Sequence, residues 1–561
     1  MKGITAIFGM AAAIAKIIKE PQLNSEMRQI FNIEYELTRL EQAQKICAGQ
    51  LENISANAAL PDDMMGILDF QLLMLEDTDY FGRIRGIISQ GICCEYAVRT
   101  ASDAFINYLE NLKDNDYLRE RAADIADLAK RLLCILQDVD FDFVEPSSEY
   151  IAVAEDLTPS QVATMDPGKL RGIALEKGGL NSHCVIIAKS LGIPCVLQIE
   201  GVLNAVNDGE VVLLDAINSQ IIISPGEKEL EEYRQFYKSS AIERQELEQF
   251  KTKRSVTLDG VEMKVFANIT AAKEAQTAVD EGAEGVGLFR SELLYMSGKS
   301  APSEETQLRE YGEAAKTLGR LPFVIRTLDV GGDKEIDYLG IPKEENPFLG
   351  YRAIRYCLDN SGIFTAQLSA ILRASEFGNV AVMFPMITCI DEIRAAKSVL
   401  QQTKEQLAAQ GFRNKSDIKI GIMIETPAAA FDAGLLAKEV DFFSIGTNDL
   451  AQYLFCADRG NPQVQYLNSW FQPTLLRTIN YVVKTAVNAG IEVDICGAAG
   501  EVPELLPLFV AMGVTAVSVS IPNITRVRRV ICGLKKFECD RILQSVLRLK
   551  TEADVKELLK I

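Results

Sequence analysis

Residues 419–449 read KIGIMIETPAAAFDAGLLAKEVDFFSIGTND and hold two short apolar runs, KIGIMIET stopping at Glu425 and FFSIGTND stopping at Asp449. An alanine-rich, helix-forming stretch separates them. Apolar runs without alternation suit strands that are covered on both faces. Strand, polar stop, helix and next strand make one βα unit, the crossover that parallel strands require.

The same unit recurs on both sides of this stretch. KVFAN ends at Asn268, GVGLFR at Arg290, FVIRTLD at Arg326 to Asp329, and VAVMFPM at Met386. VDIC at Cys496 and AVSVS at Ser520 complete the series, each run followed by a helical stretch. Eight such units in about 300 residues match the (β/α)8 TIM barrel, which builds its active site at the C-terminal ends of its strands. That rule alone gathers Arg290, Arg326, Glu425, Asn448, Asp449 and Cys496 in one mouth.

Two arginines from neighbouring strands offer two-pronged donors to a carboxylate or phosphate. Arg352 in NPFLGYRAIR and Arg459 in ADRGN are two further candidates, so an anionic substrate is expected. Glu425 and Asp449 supply hard oxygen ligands of the kind that hold Mg²⁺. A general acid/base pair would use the same residue types, but an arginine-rich rim favours metal-assisted phosphoryl or enolate chemistry. Cys496 is either a thiol that delivers a proton to carbon or a small core residue, and position alone leaves both open.

The N-terminal half has a different texture. From about Glu20 to Gln137 it is nearly free of Gly and Pro and carries apolar residues at three- and four-residue spacing, as in Glu26 to Gln50 and Asp116 to Leu136. This predicts a helical subdomain. From about Tyr150, short apolar runs such as Ile193 to Val196 and Val211 to Leu214 read as strands of a small α/β unit. The charged segment between Pro225 and Arg254 reads as a solvated connecting helix. Gly3 to Ala15 has the length of a signal-peptide apolar region, but is expected to be a buried first strand.

The single histidine, His183, lies in KGGLNSHCVIIAKSLGIPCVL. The Gly-Gly turn and the helix-forming HCVIIAKSLG place it at a helix N-terminus, with Asn181 or Ser182 as cap. Backbone N–H groups there favour a phosphate and an imidazole is a competent nucleophile, so a phosphohistidine fits. A hydrogen-bonded structural histidine fits the same stretch.

Composition narrows the class further. Lys and Arg total 58 against 78 Asp and Glu, a net charge of −20, which excludes a phosphate-neutralising nucleic-acid surface. The 12 cysteines show no C-x-x-C pair, and one histidine is too few for ordinary zinc-site spacing. Free thiols in a cytoplasmic protein are expected, and no apolar run is long enough for a membrane-spanning helix. The length calls for two or three domains.

These residues together resemble the Enzyme I family of the bacterial phosphotransferase system, the phosphoenolpyruvate-protein phosphotransferases, across nearly the whole chain. GVGLFRSELLYM, RTLDVGGDKE, KEENPFLGYRAIR, MFPMI, ETPAAA, DFFSIGTNDLAQY and ADRGN are similar to the family's barrel blocks in order. LTPS with GGLNSHCVIIAKSLGIPCV is similar to its phosphohistidine segment. The resemblance implies that His183 takes the phosphoryl group of phosphoenolpyruvate and passes it to a histidine of the phosphocarrier protein HPr, releasing pyruvate. It implies that Arg290, Arg326, Arg352 and Arg459, assisted by Asn448, bind substrate, that Glu425 and Asp449 hold Mg²⁺, and that Cys496 protonates the enolate. It further implies a swivelling phosphohistidine α/β domain (1–19 and 138–225), a helical HPr-binding subdomain inserted in it (20–137), a helical linker (226–255), and a barrel that binds phosphoenolpyruvate and forms a homodimer (256–561).

The chain departs from the family pattern at several positions. Leu180 and Asn181 replace the usual Arg and Thr beside the histidine, Val162 replaces a Thr, Gln71 a His, and Ala498 a Glu, while GMAAAIAK lacks the second glycine. These changes bear on the acceptor, and leave room for a divergent paralogue serving a specialised carrier or for a phosphoenolpyruvate-binding regulatory protein. A dikinase would need a nucleotide-grasping domain, and no P-loop spacing is present.

Overall fold

A computed structural model describes residues 1–561 except 22, 56–61, 112–115, 140–144, 180–181, 191, 297–299, 333–335, 413–417 and 462. The chain divides into two compact units, Met1–Ile242 and Glu243–Ile561.

The first unit is built on a seven-stranded sheet. Its strands are β1 (Ile4–Ile7), β2 (Met10–Ile18), β3 (Tyr150–Ala154), β4 (Leu170–Leu175), β5 (Cys195–Leu197), β6 (Val211–Asp215) and β7 (Gln220–Ile223). They lie in the order β1-β5-β4-β3-β2-β6-β7. The centre, β2 to β5, is parallel, whereas β1 and β6 add antiparallel to the edges of that core. The apolar stretch expected to form one strand therefore forms two that part company. Gly9 makes the break: its φ is +149°, and a Cβ there would stand 2.6 Å from Pro194 Cγ.

Among the described residues, five helices lie between β2 and β3: α1 (Ile33–Ser55), α2 (Asp62–Glu76), α3 (Thr78–Ser89), α4 (Cys94–Glu110) and α5 (Asp116–Gln137). Their apolar stripes meet in a core of their own, around Leu40, Cys47, Tyr80, Ile84, Val98 and Leu132. The helical run expected from Glu26 begins instead at Ile33. The preceding backbone is held extended against the α3–α4 turn, where Ile30 N donates to Gly91 O and Cys93 N to Arg28 O. Tertiary pairing has overridden local helix propensity there.

The helix Glu227–Glu248 straddles the division between the two units. Its pattern is mostly exposed, as a solvated helix requires.

Eight parallel strands close the second unit into a barrel: β8 (Lys264–Ile269), β9 (Val286–Arg290), β10 (Pro322–Arg326), β11 (Asn379–Phe384), β12 (Lys419–Ile424), β13 (Phe442–Ile445), β14 (Glu492–Ile495) and β15 (Ala516–Ser520). Ladders join each strand to the next, and β15 to β8. Outward side chains pack under a ring of helices, while Leu288, Val324, Ala381, Met383, Met423, Phe442 and Cys496 form a separate apolar group. One expectation shifts here. FFSIGTND is strand only to Ile445, and Thr447–Phe455 is helix, with Leu450 N bonded to Gly446 O, so Asn448 and Asp449 sit in a helix's first turn.

Candidate active site

The sequence-predicted barrel residues converge on one cavity of about 380 Å³ whose wall includes Arg290, Arg326, Arg352, Glu425, Asn448, Asp449, Arg459 and Cys496. Arg290 and Arg326 are the last residues of β9 and β10, and are register partners across the ladder. Glu425 and Cys496 each follow directly on the last residue of a strand. Arg352 and Arg459 come from loops, which no strand pattern could have placed.

Buried carboxylates hold the guanidinium groups in place. Arg326 bonds to Glu292 Oε1 at 2.5 Å and to Asp329 Oδ2 at 2.9 Å. Arg352 meets the other oxygen of Asp329 at 2.9 Å and the hydroxyl of Tyr453 at 3.0 Å. Burial disfavours the charge on Arg326, but Glu292 and Asp329 outweigh it, so the group stays ionised. Arg459 lies 3.3 Å from Asp449 Oδ1 and stacks over Phe348 with 5.7 Å to the ring centroid. The buried Nε atoms of Arg326 and Arg352 have no hydrogen-bond partner.

Glu292 and Asp329 were not singled out as site residues from the sequence. Asp329 is three residues beyond Arg326 and Glu292 two beyond Arg290, spacings that carry no signal until both prove to be buried beside the arginines.

Glu425 accepts a hydrogen bond from Met386 N at 2.7 Å through Oε1, while its Oε2 is buried and unpartnered. Burial, then the nearby charges of Asp449 and Asp329, push its carboxyl well above the usual range. A cation beside it would relieve that cost. The backbone approaches closely here, because a Cβ on Gly446 would stand 2.7 Å from Glu425 Oε2. Among the described residues no group of three or more His, Cys, Asp or Glu could hold a metal, so two carboxylates with substrate and water oxygens would make up the shell. These donors fit Mg²⁺.

Cys496 is buried, and its Sγ lies 3.6 Å from Ile445 O. Burial first, then Asp494, pushes the thiol up to about 12. It therefore stays a thiol at neutral pH, and is a poor nucleophile.

In the first unit, the helix His183–Ser190 starts at the lone histidine, after a turn in which Gly178 has φ +99° and Ser182 N bonds to Gly179 O. The His183 side chain and residues Leu180 and Asn181 lie outside the described residues. Val162 is buried with Cys184 and Val185, so it offers that turn no hydrogen bond. Gln71 is buried between α2 and α5, where its Nε2 bonds to Asp124 O and to Asp127 Oδ2.

Three family models match the chain in order: the N-terminal segment of PEP-utilising enzymes over residues 2–121, their mobile domain over 146–219, and their PEP-binding domain over 244–536. The phosphoenolpyruvate-protein phosphotransferase of Geobacillus stearothermophilus is 40% identical over 100% of this chain and 97% of its own length. The protein of the same name from Bacillus subtilis (strain 168) is 37% identical over 100% of this chain and 99% of its own. A solution structure of Enzyme I aligns with TM-score 0.40 and 27% identity over 43% of this chain and 99% of that one. Identity of this order running end to end through both full-length relatives, with the three segments in sequence, makes this chain a member of the phosphoenolpyruvate-protein phosphotransferase family.

Proposed function

We propose that this protein transfers the phosphoryl group of phosphoenolpyruvate to His183 and then to a histidine of a phosphocarrier protein, HPr or an HPr-like relative, with release of pyruvate. The observation that carries the reading is the meeting of four arginines, four carboxylates and a buried thiol on one cavity wall.

In this reading Arg290, Arg326, Arg352 and Arg459 grip the phosphate and carboxylate of the substrate, and Asn448 adds a polar contact. Glu425 and Asp449 hold Mg²⁺, which when bound shares the negative charge that builds on the phosphoryl and enolate oxygens. Once the phosphoryl group has left, C3 of the enolate takes the Cys496 proton. His183 receives the phosphoryl group at the start of its helix, where free backbone N–H groups favour an anion.

The proposed division of labour follows the chain. Residues 1–19 and 138–225 carry the histidine, 20–137 dock the carrier, 226–255 link, and 256–561 bind substrate and form the dimer. A groove beside α1 and α2, where Glu41, Glu52, Asp69 and Glu76 outnumber Lys45 and Arg85 and exposed Leu73 lies beside them, suits a carrier with a basic, partly apolar face.

Labelled phosphoenolpyruvate and Mg²⁺ test the function directly. Wild type should acquire acid-labile, base-stable phosphate, and His183→Ala should acquire none. A folded, substrate-binding wild type that takes no label would favour the regulatory reading instead.

A further inference from the structure

Arg352 and Arg459 reach the cavity from loops, and a long side chain on a loop keeps its rotamer freedom unless something holds it. The helix Thr447–Phe455 touches both. Asp449 and Tyr453 stand four residues apart on it, and so on one face. Along that face Arg352 puts Nη2 at 3.7 Å from Asp449 Oδ2 and Nη1 at 3.0 Å from the Tyr453 hydroxyl. Arg459 places Nη1 at 3.3 Å from Asp449 Oδ1, and its backbone N donates to Gln452 Oε1 at 3.0 Å.

A phenol has one proton to give, and here its use is fixed. Tyr453 accepts from Arg352 and donates to Phe348 O at 2.5 Å. Phe348 belongs to the short turn Pro347–Leu349, and its ring centroid is 6.0 Å from Arg352 Cζ and 5.7 Å from Arg459 Cζ. The backbone of Gly332 closes on the same ring: its φ is +73°, and a Cβ there would stand 3.1 Å from Phe348 Cδ1. One aromatic ring thus faces both loop arginines, and one hydroxyl ties its turn to the helix that carries Asn448 and Asp449.

Anchors of this kind differ from carboxylates. A carboxylate fixes a guanidinium by offsetting its charge, and Asp449 is also proposed to hold the cation. A hydroxyl and an aromatic face fix direction without adding a negative charge, so the positive charge of both arginines remains for an anion.

We propose that Tyr453 and Phe348 are positioning residues for substrate binding: the Tyr453 hydroxyl sets Arg352 and the turn that carries Phe348, and the Phe348 ring sets Arg459, so that both guanidinium groups meet the same anion. The inference rests on the proposed function, because it takes phosphoenolpyruvate as that anion. Among the described residues that line the cavity neither appears, so each acts through an arginine.

The test measures the rate of His183 labelling against phosphoenolpyruvate concentration, with the full-length protein, Mg²⁺ and labelled phosphoenolpyruvate. Tyr453→Phe, which keeps the ring and loses the hydroxyl, should raise the half-saturating concentration by about tenfold. Phe348→Leu should raise it as well, and serves if the Tyr453 variant does not fold, whereas Phe348→Tyr, which keeps the ring, should leave it near the wild-type value. Tyr453→Phe combined with Phe348→Leu should fall short of the product of the single effects, because both act through the same turn. A merely structural role would instead lower the fraction of protein that takes label and leave the half-saturating concentration unchanged. That result, or single effects that multiply, overturns the positioning role alone. Wild type that takes no label overturns the proposed function, and this inference with it.

Discussion

Arg326 donates to Glu292 Oε1 at 2.5 Å with both side chains more than nine-tenths buried. The pair fixes the guanidinium before any substrate arrives, so its orientation is set by the protein. Arg326→Ala would remove the proposed ligand contact and take the guanidinium away from the buried Glu292 carboxylate. We expect the KM for phosphoenolpyruvate to rise more than about tenfold and stability to fall by about 3 kcal/mol, read by steady-state kinetics and urea unfolding. Unchanged KM would take Arg326 out of the site.

Gly446 is where a single methyl group should be felt. A Cβ would meet Glu425 Oε2 at 2.7 Å and Glu425 Cβ at 3.0 Å. Gly446→Ala should therefore displace the carboxylate proposed to hold the cation, raising the Mg²⁺ concentration for half-maximal activity by about tenfold. Titrating activity against Mg²⁺ in both proteins checks this.

Arg528 closes the opposite end of the same unit. Fully buried, it donates to Ser255 Oγ, to the carbonyl oxygens of Phe250 and Lys251, and to that of Gly282. Arg528→Met would leave those carbonyls without donors and release the chain that leads into β8. A loss of about 3 kcal/mol or more is expected, with little change in KM for protein that remains folded. Denaturant midpoints compared with KM values decide it.

Stability against pH reports the burial of Asp494, which is 7% exposed. Burial raises its carboxyl to about 7 in the folded protein, whereas an unfolded chain holds aspartate near 4. Between those values the folded state binds the extra proton, so the contribution of this group to stability falls as pH rises from about 4 to about 7, then levels off. Asp494→Asn removes that dependence. Wild type should lose ground to the variant across this window, with a slope on the order of 1 kcal/mol per pH unit, measured by urea unfolding at fixed pH values.

The barrel could be read from the sequence because its evidence is local. Continuous apolar runs such as IGIMI and FFSI, each broken by a polar residue and followed by a helix former, identify strands and crossovers without knowledge of any distant contact. Strand order then follows from chain order, and residues at strand ends, Arg290, Arg326, Glu425 and Cys496, share a rim by construction. Where the chain reverses this logic, local reading loses the boundary. Gly9 splits one apolar stretch because Pro194, far away in sequence, occupies the space its side chain would need. The backbone before Ile33 stays extended because Gly91 and Cys93 bond to it.

Partnership, by contrast, was decided only by the tertiary structure. Glu292 and Asp329 became anchors of Arg326 and Arg352 through burial, Asn448 and Asp449 moved from a strand end to a helix start, and Asp494 found Ser444 through the register of two neighbouring strands. The physical reason is the same in each case. Periodicity and polarity along the chain determine which face a residue presents, whereas the energy of a charge or a proton depends on what closes over it from elsewhere in the fold.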